Sequence, residues 1–372
     1  MFKYHFFAAV SVLLCASLLN AADWPQWRGP DRDGKSAETG LNLDFTDGPP
    51  KLLWKVEGMG KGYSSVAVVD DVIYTTGNTG EGQSVVARKT SDGSKVWSTT
   101  LTEKAPKHGY DGARCTPSVT EKHVYVVTSD GQIACLKRDD GRVVWSKSFK
   151  DEWNGRMMSG WGFSESPLVD GDRVLCTPGG DEAMVVALNR MTGKQIWASP
   201  GFKTDKGKDG AGYSSLAISN AGGVKQYVTL TGRGIVSVDA KDGSILWTYA
   251  GVANKTANIP TPVVFDDYVF CSSGYGTGSA LLHITKEADG LQASEEYFLD
   301  AGTLQNHHGG MIKHGDYLYC GGGHNEGFPT CLEIGSGKVV WGGKLRGPGK
   351  KSAAVTMRVI VPSSNMTPPR KT

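Results

Sequence analysis

The sequence predicts an all-β fold, a β-propeller of about seven four-stranded blades with the last blade incomplete. Three observations carry this expectation: an eleven-residue phrase that recurs five times, a spacing between copies near fifty residues, and two short apolar runs ahead of each copy. Each phrase opens on a small residue, has Gly in seventh place and ends on Trp. The copies are ARKTSDGSKVW ending at Trp97, CLKRDDGRVVW at Trp145, ALNRMTGKQIW at Trp197, SVDAKDGSILW at Trp247 and CLEIGSGKVVW at Trp341.

Within a phrase, Asp92-Gly93, Asp140-Gly141, Thr192-Gly193, Asp242-Gly243 and Ser336-Gly337 supply the positive-φ turn of a β-hairpin between two alternating strands. The preceding runs, such as SSVAVVDDVIYTT and TPSVTEKHVYVVT, break at Asp, Asn or Gly and read as a second strand pair. Neighbouring Trp positions differ by 48, 52, 50 and 94, so one copy is hidden in the last interval. It is assigned to TKEADGLQASEEYFL, where residues are inserted after Asp289-Gly290 and Tyr297 replaces the Trp.

Trp54, Trp97, Trp145, Trp197, Trp247 and Trp341 are expected to be structural docking residues. A sugar-stacking platform is the other use of a Trp column, but one fixed hairpin position in every repeat favours packing between blades. The small residues Ala87, Cys135, Ala187, Ser237 and Cys331 are expected to make room for a neighbouring blade's indole.

Residues 1–22 read as a cleavable secretory signal, with Lys3 and His5 ahead of an apolar run and Ala21-Ala22 before Asp23. Export places the protein in the periplasm or outside the cell, and no later run is long enough to span a membrane. Cys15 lies inside the apolar run behind Leu14 and does not fit a lipid-anchor site. The propeller is assigned to residues 23–356. Residues 51–56 (KLLWKV) are expected to be a lone outer strand that closes the ring with a strand near Ser352 to Thr356. The tail 357–372 departs from the repeat and reads as a truncated or frame-shifted end.

A formal charge of +2 with no basic stripe excludes a polyanion such as nucleic acid as the main partner. Cys115, Cys135, Cys176, Cys271, Cys320 and Cys331 follow the signal segment. Because several share a strand slot in different blades, buried free thiols are the expectation; Cys320 with Cys331 is the best disulfide candidate. A monomer is expected.

In a propeller, the loop entering each blade and the loop between its second and third strands emerge on one face, where irregular loops on a rigid ring carry binding residues. The entering loops hold Tyr63, His108, Tyr110, Asp111, Arg114, Arg156, Trp161, Glu165, Tyr213, Asn258, Asn306, His307 and His308; the second set holds Asn78, Asp181, Glu182, His324 and Asn325. The ligand-binding candidates are Arg114, Arg156, Trp161, Glu165, Tyr213, Asn306, His307, His308, His324 and Asn325. Arginine would grip an anion bidentately and Trp161 would stack; the alternative is a salt-bridge network between inner strands. His307, His308 and His324 are weak metal candidates, against which stands a role in bonding loop carbonyls. No catalytic residue is assigned.

The phrase resembles the tryptophan-docking motif of pyrroloquinoline-quinone (PQQ) propeller repeats, found in quinoprotein alcohol dehydrogenases and in the propeller lipoprotein of bacterial outer-membrane barrel assembly. DWPQWRGPDRDG (Asp23 to Gly34) and NHHGGMIKHGDYLYCGGGHNEGFP (Asn306 to Pro329) further resemble secreted bacterial PQQ-like propellers of uncharacterised role. The resemblance implies two functions. One is a binding or scaffolding propeller of the cell envelope, holding a protein, a glycan or a small ligand. The other is a dehydrogenase using PQQ and calcium, which in that family needs adjacent cysteines that this chain lacks; a haem-attachment Cys-x-x-Cys-His is absent too. The scaffold is preferred. A metal-dependent hydrolase or lyase at the histidines is a third, thinner reading.

Overall fold

The computed structural model describes residues 22–41, 44–80 and 82–342. Within them lie six four-stranded sheets, each made of consecutive antiparallel strands, spanning 67–100, 118–148, 168–199, 217–249, 263–299 and 312–342. The first strands of neighbouring sheets meet around a central channel, and the Trp-bearing fourth strands lie outermost. The signal segment and the strand expected near Ser352 to Thr356 lie outside the described residues, as does the tail. Residues 51–56 form no strand among the described residues, because a lone strand needs a hydrogen-bonded neighbour.

The hidden repeat is real. Strands Gly278–Glu287 and Gly290–Leu299 form the outer hairpin of the fifth sheet, with Tyr297 facing Leu281. In the other five sheets the hairpin glycine has φ between 69° and 80°, a region that penalises any Cβ.

That glycine is also where the neighbouring indole sits. A Cβ on Gly193 would stand 2.7 Å from the Trp145 ring, and Gly141 and Gly243 are covered in the same way by Trp97 and Trp197. Trp54 covers Gly93 from the first sheet's open side, so it docks although its segment is no strand. Tyr297 covers Gly337. In each complete joint the aromatic group also donates to the carbonyl three residues before the glycine: Trp54 to Thr90 at 2.7 Å, Trp97 to Arg138 at 2.8 Å, Trp145 to Arg190 at 3.0 Å, and the Tyr297 hydroxyl to Ile334 at 2.7 Å.

Two joints depart from the rule. Arg173 donates to the carbonyl of Ala240, the acceptor Trp197 would use, and the Trp197 N–H is left buried without a partner. Trp247 turns into its own sheet and bonds the Gln226 side chain at 2.7 Å; Gly290, its counterpart in the inserted hairpin, has nothing near it. The joint between the fourth and fifth sheets is instead held by Leu291 over Gly222, by the Gly222 N–H on Asp267 at 2.8 Å, and by Tyr249 on Glu295. Among the described residues no glycine is covered by Trp341.

The expected role of the small residues needs correction. Ala87, Cys135, Ala187, Ser237 and Cys331 face Trp97, Trp145, Trp197, Trp247 and Trp341 of their own hairpins, each beside a bulge. They make room for their own indole, while the turn glycine admits the neighbour's. Where Tyr297 replaces Trp, the larger Leu281 fills the opposite slot. The six cysteines are free and buried. Cys320 lies opposite Thr330 and Cys331 opposite Tyr319, so the candidate pair is out of register. Burial pushes the thiols of Cys115 and Cys320 up to about 12.

The segment 22–34 occupies the channel. Its Trp24 pairs with Val68, its Pro25 carbonyl accepts from Val119, and Arg28 donates to Met311. Arg32 reaches the carbonyls of Ser166 at 2.8 Å and Pro167 at 3.2 Å. Innermost strands of four sheets, or residues next to them, are therefore tied to one stretch of chain. The stretch is stiffened from within: the Arg28 and Arg32 guanidinium groups stand 5.4 and 5.5 Å from the Trp27 ring, and Trp24 packs on Gly29.

Candidate functional site

The two loop sets do share a face. Isolated bridges join Lys61 to Asn78, Gly62 to Ala113, Met157 to Ala211 and Asn306 to Gly323, tying neighbouring loops into one platform.

Most polar candidates on this platform are already bound to it. Arg114 donates to Gly112 at 2.8 Å, to Gly109 at 2.9 Å and to Tyr110, bracing its own loop, and its guanidinium lies 5.6 Å from the Tyr63 ring. Arg156 pairs with Asp181 at 2.7 Å. Asn306 is buried: its amide donates to Gly309 and Gly321, and its carbonyl accepts from Gly309. The expected grip on an anion is thus replaced by internal bracing, close to the salt-bridge alternative but made largely with loop carbonyls. Asn325 is exposed at the tip of its turn with φ +60°.

Glu165 is 3% exposed. One carboxylate oxygen accepts the Thr177 N–H at 2.6 Å and the other has no partner. Burial pushes this carboxyl up to about 7, opposed by the Thr177 hydrogen bond and by the charge of Arg32 below it. It belongs to the channel wall and does not reach the mouth.

The histidines do come together. The His307 ring lies 3.9 Å from His308 and 4.2 Å from His324, and Tyr275 packs edge-on against His307 at 4.8 Å. Both His307 nitrogens are buried without partners, and burial with its two histidine neighbours holds the ring down to about 4. The three rings form an aromatic cluster centred on His307. Among the described residues no group of three His, Cys, Asp or Glu is arranged to hold a metal.

Aromatic side chains form the rest of the mouth. Trp161 and Tyr213 meet edge-to-face at 6.0 Å; Tyr213 bonds Ser159 at 2.7 Å, and Met158, Ala257 and Ile259 pack beneath. Around this floor Tyr63 is 61% and Tyr110 76% exposed. Both stood in the sequence among the loop residues. What could have singled them out was that neither belongs to an alternating strand pattern, so no core face claims them.

These donors do not suit PQQ with calcium. Glu165 is sealed off, Asn306 has its amide fully engaged, the histidines lack ligand geometry, and no two cysteines are adjacent. Among the described residues no helix is long and apolar enough to cross a membrane.

A family model described as outer membrane protein assembly factor BamB matches residues 44–155 and 106–343. The protein of that name from Shewanella oneidensis is 23% identical over 263 residues, 68% of this chain and 61% of its own length. Quinoprotein ethanol dehydrogenase of Pseudomonas putida is 30% identical over 154 residues, 38% of this chain and 23% of that protein. This chain therefore spans about three fifths of the first relative's length and under a quarter of the second's. Among solved structures, BamB from Moraxella catarrhalis superposes with a TM-score of 0.50 at 14% identity, covering 72% of this chain and 71% of that one. Quinohemoprotein alcohol dehydrogenase from Comamonas testosteroni gives 0.52 at 16%, covering 91% and 52%. These two likenesses speak for the fold.

Proposed function

The chain belongs to the PQQ-repeat family described as outer membrane protein assembly factor BamB, and we propose that it is an exported assembly module that docks a cell-envelope protein through its loop face. The observation that carries this reading is the contrast at the mouth: the charged and amide groups are consumed by bracing, and what faces outward is Tyr63 and Tyr110 around a Trp161–Tyr213 floor. Tyrosine, tryptophan and arginine on a rigid base make protein-binding hot spots, because large rings bury much area while losing little conformational freedom. Catalysis asks for the opposite, polar groups left unengaged and aimed at a substrate. The relatives named as assembly factors support the same role.

Photo-crosslinkers placed at positions 63 and 110 of the protein in its host test this. One envelope protein should be captured from both positions and not from Lys95, an exposed residue on an outer strand. Adducts that are absent, or equal from position 95, would overturn the reading.

A further inference from the structure

The channel holds a cavity of about 400 Å³ that shares no residue with the aromatic mouth. Its walls are the channel segment on one side and the innermost strands of the third to sixth sheets on the other. We propose that it binds a small organic anion, a carboxylate carried on a compact apolar or aromatic body.

Three features argue for that chemistry. The first is charge. Arg28, Arg32, Lys35 and Lys313 line the cavity against only Asp31 and Asp33, and Lys35 already holds Asp33 at 2.6 Å. The second is unspent donors. Arg28 engages two carbonyls through one nitrogen, and Lys313 donates once, to Gly315 at 3.0 Å. Such donors at a cavity wall favour an acceptor that brings negative charge. The third is the remaining wall, which is apolar: Leu168, Val169, Ile218, Val263 and Phe265. Lys313 lies 4.8 Å from the Phe265 ring, so the positive charge and the apolar surface adjoin. A volume of this size falls within the range of small-molecule sites, and both the charged and the apolar parts sit on elements fixed by the ring.

The sequence concealed this site because it is assembled from residues more than two hundred positions apart, such as Arg28 and Lys313. Nothing in it depends on the partner docked at the mouth, so the two readings stand or fall separately.

The test uses the purified exported protein with phenylacetate and its neutral isostere phenylacetamide, followed by calorimetry and saturation-transfer NMR. Phenylacetate should bind with a Kd on the order of 0.1–1 mM, as expected for about ten non-hydrogen atoms. The amide should bind at least about tenfold more weakly. Lys313→Met should weaken the acid about fivefold and leave the amide unchanged, and Ile218→Trp, which fills the cavity, should abolish both. Circular dichroism and Tm report whether each variant folds; should Ile218→Trp fail to fold, Lys313→Met alone decides. Equal affinity for acid and amide, no binding of either, or wild-type affinity in Lys313→Met would overturn the proposal.

Discussion

The joints between blades and the channel they enclose follow opposite rules. At the joints one arrangement repeats: an aromatic ring over a positive-φ glycine and a donor on the carbonyl three residues earlier, made by Trp54, Trp97, Trp145 and Tyr297 alike. In the channel nothing repeats. There lie the buried Arg32 guanidinium and Glu165 carboxyl, each with an unpartnered atom, and at the mouth above them the bare nitrogens of His307. Repetition marks the residues that hold the ring, and its failure marks the places where the chain has spent stability on something else.

The sharpest way to break this comparison is to tax the joint glycines. Gly193→Ala meets the Trp145 ring and a φ of +69°, and should cost about 3 kcal/mol. Gly290→Ala, at a joint that abandoned the arrangement, meets open space but a φ of +136°, and should cost about 2 kcal/mol from backbone strain alone. Denaturant unfolding of both decides, and equal costs would mean that docking does not govern the joints.

Glu165 sharpens the channel side. Its folded carboxyl titrates near 7, above the ordinary 4.5, so the folded state holds its proton more tightly than the unfolded chain. Stability should therefore fall as pH rises from about 4.5 to about 7, by roughly 3 kcal/mol for a shift of this size. Glu165→Gln should flatten that slope, as read from unfolding free energies at pH 5 and pH 8.

The smallest effect separates two joints that look identical in sequence. Trp97→Phe leaves the Arg138 carbonyl without its donor, whereas Trp197→Phe removes an N–H that had no acceptor. Trp97→Phe should be about 1 kcal/mol the more destabilising, a difference visible in paired melts.

The legible part of this molecule is the part that repeats. Trp54 lies over Gly93 although the strand expected around it does not form, and Tyr297 was found by phase alone, because docking geometry forces an aromatic residue at a fixed distance from the turn. The small residue of the phrase was misassigned since sequence shows that space is needed and not whose ring fills it. Trp247 kept its identity but changed its partner, a change that goes with the inserted hairpin at Asp289-Gly290 and with Gln226 two strands away in the same sheet. At the mouth, Arg114, Arg156 and Asn306 were picked for their chemistry, yet their partners are loop carbonyls or a surface Asp, which no residue pattern announces. The channel segment was hardest to read: Arg32 bonds carbonyls 134 and 135 residues away and Arg28 one 283 residues away.

The claim that the loop face docks a protein, and is not a quinoprotein active site, is tested most directly by calorimetric titration of the purified exported protein with PQQ in the presence and absence of calcium. The account predicts no saturable heat in either condition, since Glu165 is sealed in the channel wall, the Asn306 amide is engaged and the histidines lack ligand geometry. Calcium-dependent binding at micromolar affinity would contradict it and return the protein to the dehydrogenases.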